Sequence, residues 1–286
     1  MRSFASKLNY LARSVAKTPF AANSVCLNCG CGSGYVLDRK YAVTRLVRCD
    51  GCALLFRAPT DSEAFSRKFY NFSYVEGTTT QYPALEDLRQ QKIEKFNGTE
   101  QDYEGFIAFL EHHGIRPPAR LLDFGCSWGY GSYQFSTAGF DTSSFEIAED
   151  RRKYGMANLG VRHIDDMFEV GPQHPLAGTF DCFFSAHVLE HVPSPSKVIE
   201  LAWHCLKDGG AFVAFTPNGC DAFRKYNPRS WSNMWGEVHP NYLDDVFYEI
   251  HFANSRKLIA ARDRGDVMKQ YELGFVAWKD ASKGRF

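Results

Sequence analysis

Residues Leu121–Phe135 read LLDFGCSWGYGSYQF: an apolar strand, a glycine-rich corner, and a run able to form a helix. Gly125, Gly129 and Gly131 carry no Cβ, so the spacing predicts a bend whose main chain a ligand can approach closely. Asp123 stands at the end of the strand. Glu146 closes the next apolar stretch, about 20 residues on, where an acid commonly accepts hydrogen bonds from ribose hydroxyls. The order G-x-x-x-G-x-G differs from the G-x-G-x-x-G that seats a pyrophosphate on a helix N-terminus, and no lysine is present for a nucleoside triphosphate. A nucleoside with a short, non-phosphate tail fits best.

Outward from this corner the chain alternates. Strands are expected over 120–124, 142–147, 161–165, 180–186 and 211–216. Before the last of these, SPSKVIELAWHCLKDGG offers Ser194 as a cap, Pro195 in the first turn, a stripe of Val198, Ile199, Ala202, Cys205 and Leu206, and Gly209 as a stop. Repeated strand-helix-strand units predict a parallel sheet covered on both faces, with ligands beyond the carboxyl ends of its strands.

Three segments in this order resemble the class I S-adenosylmethionine-dependent methyltransferases: LLDFGCSWGYG the cofactor loop, SSFEIAEDR the acidic end of strand two, and FDCFFSAHVLEHVPSP with LKDGGAFVAFTPN the segment from strand four to strand five. The resemblance covers residues from about 100 to the end. It implies an α/β, Rossmann-like, seven-stranded and mostly parallel sheet with a reversed final strand and helices on both faces. YLDDVFYEIHF agrees as an amphipathic helix (Leu243, Val246, Phe247, Ile250), as do the strand-like RKLIAAR and YELGFVAWK. It also implies S-adenosylmethionine as cofactor, held by Asp123, Gly125, Cys126, Ser127, Gly129, Glu146, Asp165 or Asp166, and Ser185. Ser127 departs from the family by replacing its middle glycine; a side chain this small still admits the methionine portion.

The cysteines add a second module. Cys26 and Cys29 form one C-x2-C pair and Cys49 and Cys52 another, 19 residues apart, which is the spacing of a four-thiolate structural zinc site. The intervening YVLDRKYAVTRLVR alternates as a hairpin would, and Cys31 is the spare. A redox dithiol or unrelated buried thiols are the alternative. The cysteines followed by LLFRAPT also resemble the amino-terminal ribbon of a subset of these enzymes, often associated with sugar modification. The expected division is a basic segment over 1–24, a zinc-ribbon-like module over 25–60, a helical linker over 61–100 (DSEAFSRKFYNF and PALEDLRQQKIEKF) and a methyltransferase domain over 101–286. That domain opens with QDYEGFIAFLEHHG, which puts Phe106, Phe109 and Leu110 on one helix face.

Lysine plus arginine equals aspartate plus glutamate at 33 each, so no global cationic field marks a nucleic-acid binder. Residues 1–60 nevertheless carry nine basic groups against two acids. No apolar run reaches the roughly 18 residues of a membrane span and no secretory core precedes the ribbon, so a reducing, cytoplasmic setting is expected. Phe4, Leu8, Leu11 and Val15 recur at helical spacing and predict a short packed helix, with a targeting or membrane-surface role as the alternative.

Methyl transfer from a sulfonium is an in-line displacement, so the protein aligns the reactants and removes a proton where the nucleophile has one. His187 and His191 after strand four, and His239 in WGEVHPNYL, are the candidate bases, and Trp231, Trp235 and Tyr242 the candidate wall of an acceptor pocket or a lid packed on the core. Cys126 and Cys220 read as packed thiols. Strand four lacks the N-P-P-[YF] sequence that resembling enzymes use on exocyclic amino groups of bases. The expected acceptor is therefore a small molecule, such as a sugar or polysaccharide precursor, methylated at oxygen or carbon. An RNA methyltransferase docking through its basic ribbon, and a non-catalytic zinc-ribbon scaffold, are the competing readings.

Overall fold

The computed structural model describes residues 4–18, 24–62, 64–65, 80–280 and 282. DSEAFSRKFYNF falls largely outside them, as does the Phe4 side chain.

The predicted central sheet is present, with strands β4 (Arg120–Phe124), β5 (Asp141–Phe145), β6 (Phe180–Ala186), β7 (Leu206–Pro217), β9 (Arg256–Ala260) and β10 (Glu272–Trp278) in the order β5-β4-β6-β7-β10-β9. The first four run parallel; β10 lies antiparallel to both neighbours, so the reversed strand is present. Among the described residues the sheet has six strands and not seven. The segment expected as strand 161–165 meets β5 only at a single bridge, Ser144 to His163, where Ser144 N donates to Arg162 O (2.8 Å) and Ile164 N to Ser144 O (2.9 Å). It sits on an open edge, and Arg162, Asp165 and Asp166, all exposed, turn the chain outward to keep their charges hydrated.

Period-two alternation divides the core. Leu122, Phe124, Phe183, Phe212 and Phe275 pack on one side against helices α6 (Pro195–Cys205) and α9 (Asp245–His251). Leu121, Cys182, Phe184, Val213 and Val276 face the other side, against α3 (Glu104–His112) and α4 (Tyr130–Thr137). In α3 the buried residues are Phe106, Phe109 and Leu110, the predicted face. Helix α2 (Leu85–Ile93) lies in the predicted linker, and α5 (Glu149–Leu159) follows β5.

Three helix expectations change. Phe247 in α9 and Leu243 just ahead of it are buried, but Val246 and Ile250 are exposed and Tyr248 takes their place. Asp244 Oδ1 accepts from Phe247 N and fixes the start of the helix, while the Tyr248 ring stacks on Phe275 at 4.1 Å. Helix α6 is capped by Asn28, whose Oδ1 accepts from Ser196 N (2.8 Å); Ser194 Oγ donates to that same oxygen. The helix ends at Cys205, ahead of Gly209. Helix α1 (Phe4–Lys17) buries Tyr10 and Ser14 and leaves Leu8 and Val15 exposed. Among the described residues no helix is long and apolar enough to cross a membrane.

The cysteine region folds as strands β1 (Gly34–Lys40), β2 (Thr44–Cys49) and β3 (Leu55–Ala58), the predicted hairpin plus one strand. A fourth strand, β8 (Asn241–Tyr242), arrives from the far end of the chain and pairs antiparallel with β3. Helices α7 (Asp221–Tyr226) and α8 (Pro228–Met234) precede it, and a third cluster of Leu46, Leu55, Phe223, Trp231, Trp235 and Tyr242 cements the contact.

Candidate active site and cysteine cluster

The corner after β4 is built by backbone hydrogen bonds across the carboxyl end of the sheet. Gly125 N and Cys126 N both donate to Phe145 O, at 2.8 and 3.0 Å. Glu146 completes it: Oε2 accepts from Ser127 N (3.0 Å), Oε1 from Ala148 N (2.8 Å), and Arg151 approaches Oε1 at 3.2 Å. Burial raises the Glu146 pKa, opposed by Arg151 and these amides. Glu146 thus ties the end of β5 to the loop after β4. Ser127 adopts φ +53°, the left-handed conformation favoured by the glycine it replaces.

The glycines also sit where neighbouring side chains crowd the loop. A Cβ on Gly125 would meet the Val188 side chain at 2.3 Å, one on Gly129 the Val161 side chain at 2.7 Å, and one on Gly131 the Tyr103 ring at 2.3 Å. They are bare where the protein's own side chains press against the loop. Gly125 and Ser127 remain partly exposed, and Ile147, Asp165, Asp166 and Phe168 are exposed around the ends of β5 and the bridge.

Asp123, Cys126 and Ser185 are buried beneath this rim. Asp123 accepts from Ser132 Oγ at 2.6 Å, and burial pushes its pKa up to about 7. A raised folded-state value favours the protonated form, so its contribution is complete at pH below about 4 and is lost as the pH rises through 7. Asp123→Asn is therefore expected to remove up to about 3 kcal/mol of the stability lost between pH 5 and 8 in the ligand-free chain. Urea unfolding of both proteins at the two pH values checks this; equal losses would refute it.

Past β6, His187 is half-exposed at φ +55°, between Glu272 (Nε2 to Oε2, 2.9 Å) and Glu190 (Nδ1 to Oε1, 3.5 Å). Burial opposes its charge, but the two carboxylates outweigh it and raise the pKa to about 10. The raised value favours protonated His187 at neutral pH, which weighs against the expected role as a base. His191 and His239 come together, their rings 4.9 Å apart, and burial lowers both, His191 to about 4. Trp231, Trp235 and Tyr242 do not wall a pocket: they are buried against the ribbon, with Trp235 Nε1 donating to Asp38 Oδ2 at 3.0 Å. Sequence reasoning missed Glu190, Glu272, Arg151 and Asn28. Only Glu190 left a local signal, as the acid in the H-x-x-E-H run of His187 to His191.

In the ribbon, the sulfurs of Cys26, Cys29, Cys49 and Cys52 all lie within 4.8 Å of one another. The Cys29 to Cys49 and Cys26 to Cys52 distances are 3.5 and 3.7 Å, close to the edge of about 3.8 Å that follows from tetrahedral zinc with Zn–S bonds of about 2.3 Å. Tight turns present each pair: Gly30 N donates to Cys26 O and Ala53 N to Cys49 O, with Gly30 and Ala53 at positive φ. Cys31 Sγ turns instead to Ser33.

Residues 96–259 match the family described as "Methyltransferase domain". This is more than half of the chain, and the chain belongs to that methyltransferase family. Among relatives, the Ubiquinone biosynthesis O-methyltransferase of Xanthomonas campestris pv. campestris is 29% identical over 136 residues (46% of this chain, 54% of the relative). That of Xylella fastidiosa is 28% identical over 109 residues (35% and 42%). The chain spans about half the length of the curated relatives it matches. Among solved structures, magnesium protoporphyrin IX methyltransferase from Synechocystis with bound SAH aligns at TM-score 0.48 and 14% identity, over 77% of this chain and 100% of that one. Geranyl diphosphate C-methyltransferase from Streptomyces coelicolor aligns at TM-score 0.48 and 14% identity (76% and 97%).

Proposed function

We propose that the chain transfers a methyl group from S-adenosylmethionine to oxygen or carbon of a small organic acceptor. The observation that carries this reading is the loop at Gly125 to Gly129, held by Glu146 at the carboxyl rim of a parallel sheet within a methyltransferase family domain. The exposed part of the rim gives the cofactor its binding surface: the backbone at Gly125 and Ser127, the carboxylates of Asp165 and Asp166, and the apolar side chains of Ile147 and Phe168. Glu146 acts mainly by fixing the loop. The cofactor supplies the activated methyl; the chain's own work is alignment and, for a hydroxyl acceptor, proton removal. Half-buried, neutral His191 and His239 are better suited to that than His187.

The four cysteines hold a structural zinc ion. They form a closed donor set, so the ion takes no part in the methyl transfer itself.

A small acceptor is favoured over RNA by what the cations of α1 and the ribbon do. Arg13 pairs with Glu237, Lys17 and Arg57 with Asp61, and Arg48 with Asp244; Arg45 donates to Ser24 Oγ and Lys40 to Trp235 O. These charges are spent within the fold rather than offered to phosphates. Calorimetry with S-adenosylmethionine should give saturable one-to-one heat, and filter binding with transfer RNA no salt-sensitive retention. Absence of heat would overturn the cofactor assignment, and RNA retention that falls steeply with salt would overturn the acceptor class.

A further inference from the structure

One side chain ties the four-cysteine cluster to the methyltransferase fold. Asn28, inside the first cysteine turn, donates from Nδ2 to Cys52 Sγ (3.3 Å) and to Ser196 Oγ (2.8 Å). Its Oδ1 accepts from Ser196 N (2.8 Å) and Ser194 Oγ (3.0 Å). A backbone N–H can only donate, so Ser196 N fixes which end of the amide is the oxygen and turns the NH2 group toward the thiolate. Both N–H groups and both lone pairs are then used, one on the metal side and three at the start of α6. The relay continues into α9. Ser196 Oγ, having accepted from Asn28, keeps its own proton for His251 Nε2 at 2.6 Å. His251 Nδ1 lies 3.0 Å from Phe247 O, a carbonyl that can only accept, so Nδ1 carries the ring proton and Nε2 is the acceptor. His251 ends α9, and ahead of the same helix Asp244 pairs with Arg48, the residue before Cys49.

We propose that Asn28 is a positioning residue that couples the metal centre to the candidate active site: with Cys52 held on zinc, it locks the start of α6 and so steadies the loop over 187–193. The inference rests on the zinc assignment made above. A thiolate on a metal keeps negative charge and gains from an N–H donor, the outer-shell contact that tunes metal affinity. The 187–193 loop runs from β6 to α6 and carries His187 and His191, so its far end is set by where α6 begins. Such coupling is reciprocal. A contact through which zinc steadies α6 is also one through which α6 tightens zinc, whereas a plain helix cap would leave the metal indifferent. Ser196 therefore contributes to zinc binding from 168 residues away along the chain.

The test has two readouts on the full chain, neither needing S-adenosylmethionine: zinc affinity by competition with a chromophoric chelator, and hydrogen exchange over 187–197 by mass spectrometry. Asn28→Ala should lower zinc affinity roughly 10- to 100-fold with all four thiols in place. Asn28→Asp keeps the oxygen that caps α6 but loses the donor, so zinc should weaken while exchange at the start of α6 stays slow. Ser196→Ala, on the far side of the amide, should also weaken zinc, and it carries the test if Asn28→Ala does not fold. Phe109→Leu, which loosens the packing on the opposite face of the sheet, should leave zinc affinity unchanged. In the wild type, stripping zinc should speed exchange over 187–197; in zinc-bound Asn28→Ala that exchange should be fast already. Wild-type zinc affinity in Asn28→Asp or Ser196→Ala, an equal loss of affinity in Phe109→Leu, or exchange over 187–197 that ignores zinc would each overturn the coupling. A wild type that binds no zinc would overturn the zinc assignment itself, and the coupling with it.

Discussion

Replacing Cys49 and Cys52 together by serine is expected to release one zinc ion per chain and to unfold the ribbon. These residues supply half of the four converging sulfurs, and a two-cysteine remainder cannot close a tetrahedral site. Binding free energies of about 10 kcal/mol or more for structural zinc at neutral pH are, in such small modules, folding free energies. The damage should spread beyond the ribbon. Trp231 and Trp235 are buried against β2 and β3, and Arg48 pairs with Asp244, the cap of α9. Tryptophan emission should shift to the red in the double variant. Zinc content and emission both equal to wild type would place the metal ligands elsewhere.

Glu146→Ala is expected to weaken S-adenosylmethionine binding by about 1 to 3 kcal/mol, roughly fivefold to more than a hundredfold, through loss of charged hydrogen bonds. The loss acts through the loop: Ser127 N and Ala148 N both lose their acceptor, and the carboxylate facing Arg151 disappears. The same change should lower stability by about 3 kcal/mol, since it breaks a buried, charge-assisted network. Glu146→Gln keeps an acceptor for one amide and should fall between. Calorimetry and urea unfolding of the three proteins check both effects; wild-type affinity in Glu146→Ala would refute the role of this side chain.

Local pattern made much of this fold legible. The bounds of β4 and β6 follow from short, almost wholly buried strands, and the buried face of α3 from its apolar spacing. The paired cysteines announced their own convergence. What could not be read was set by distant partners. The face of α9 depends on Tyr248 meeting Phe275, the cap of α6 on Asn28, and the burial of Trp231 on Leu46 and Leu55. The glycines were legible as special positions but not as to what presses on them, because Val188 and Tyr103 come from other loops. His191 and His239 were identified singly; their meeting around Glu190 depends on a loop registered by β3.

The pairing of β3 with β8 also orders events during synthesis. Leu55 and Phe56 leave the ribosome long before Tyr242 and Asn241, so the small sheet waits with an open apolar edge until most of the chain has been made. The earlier-made strand is thus completed only when the later one emerges, and a chain cut short before residue 241 would keep its cysteine turns yet expose the sticky rim of β3 to its neighbours.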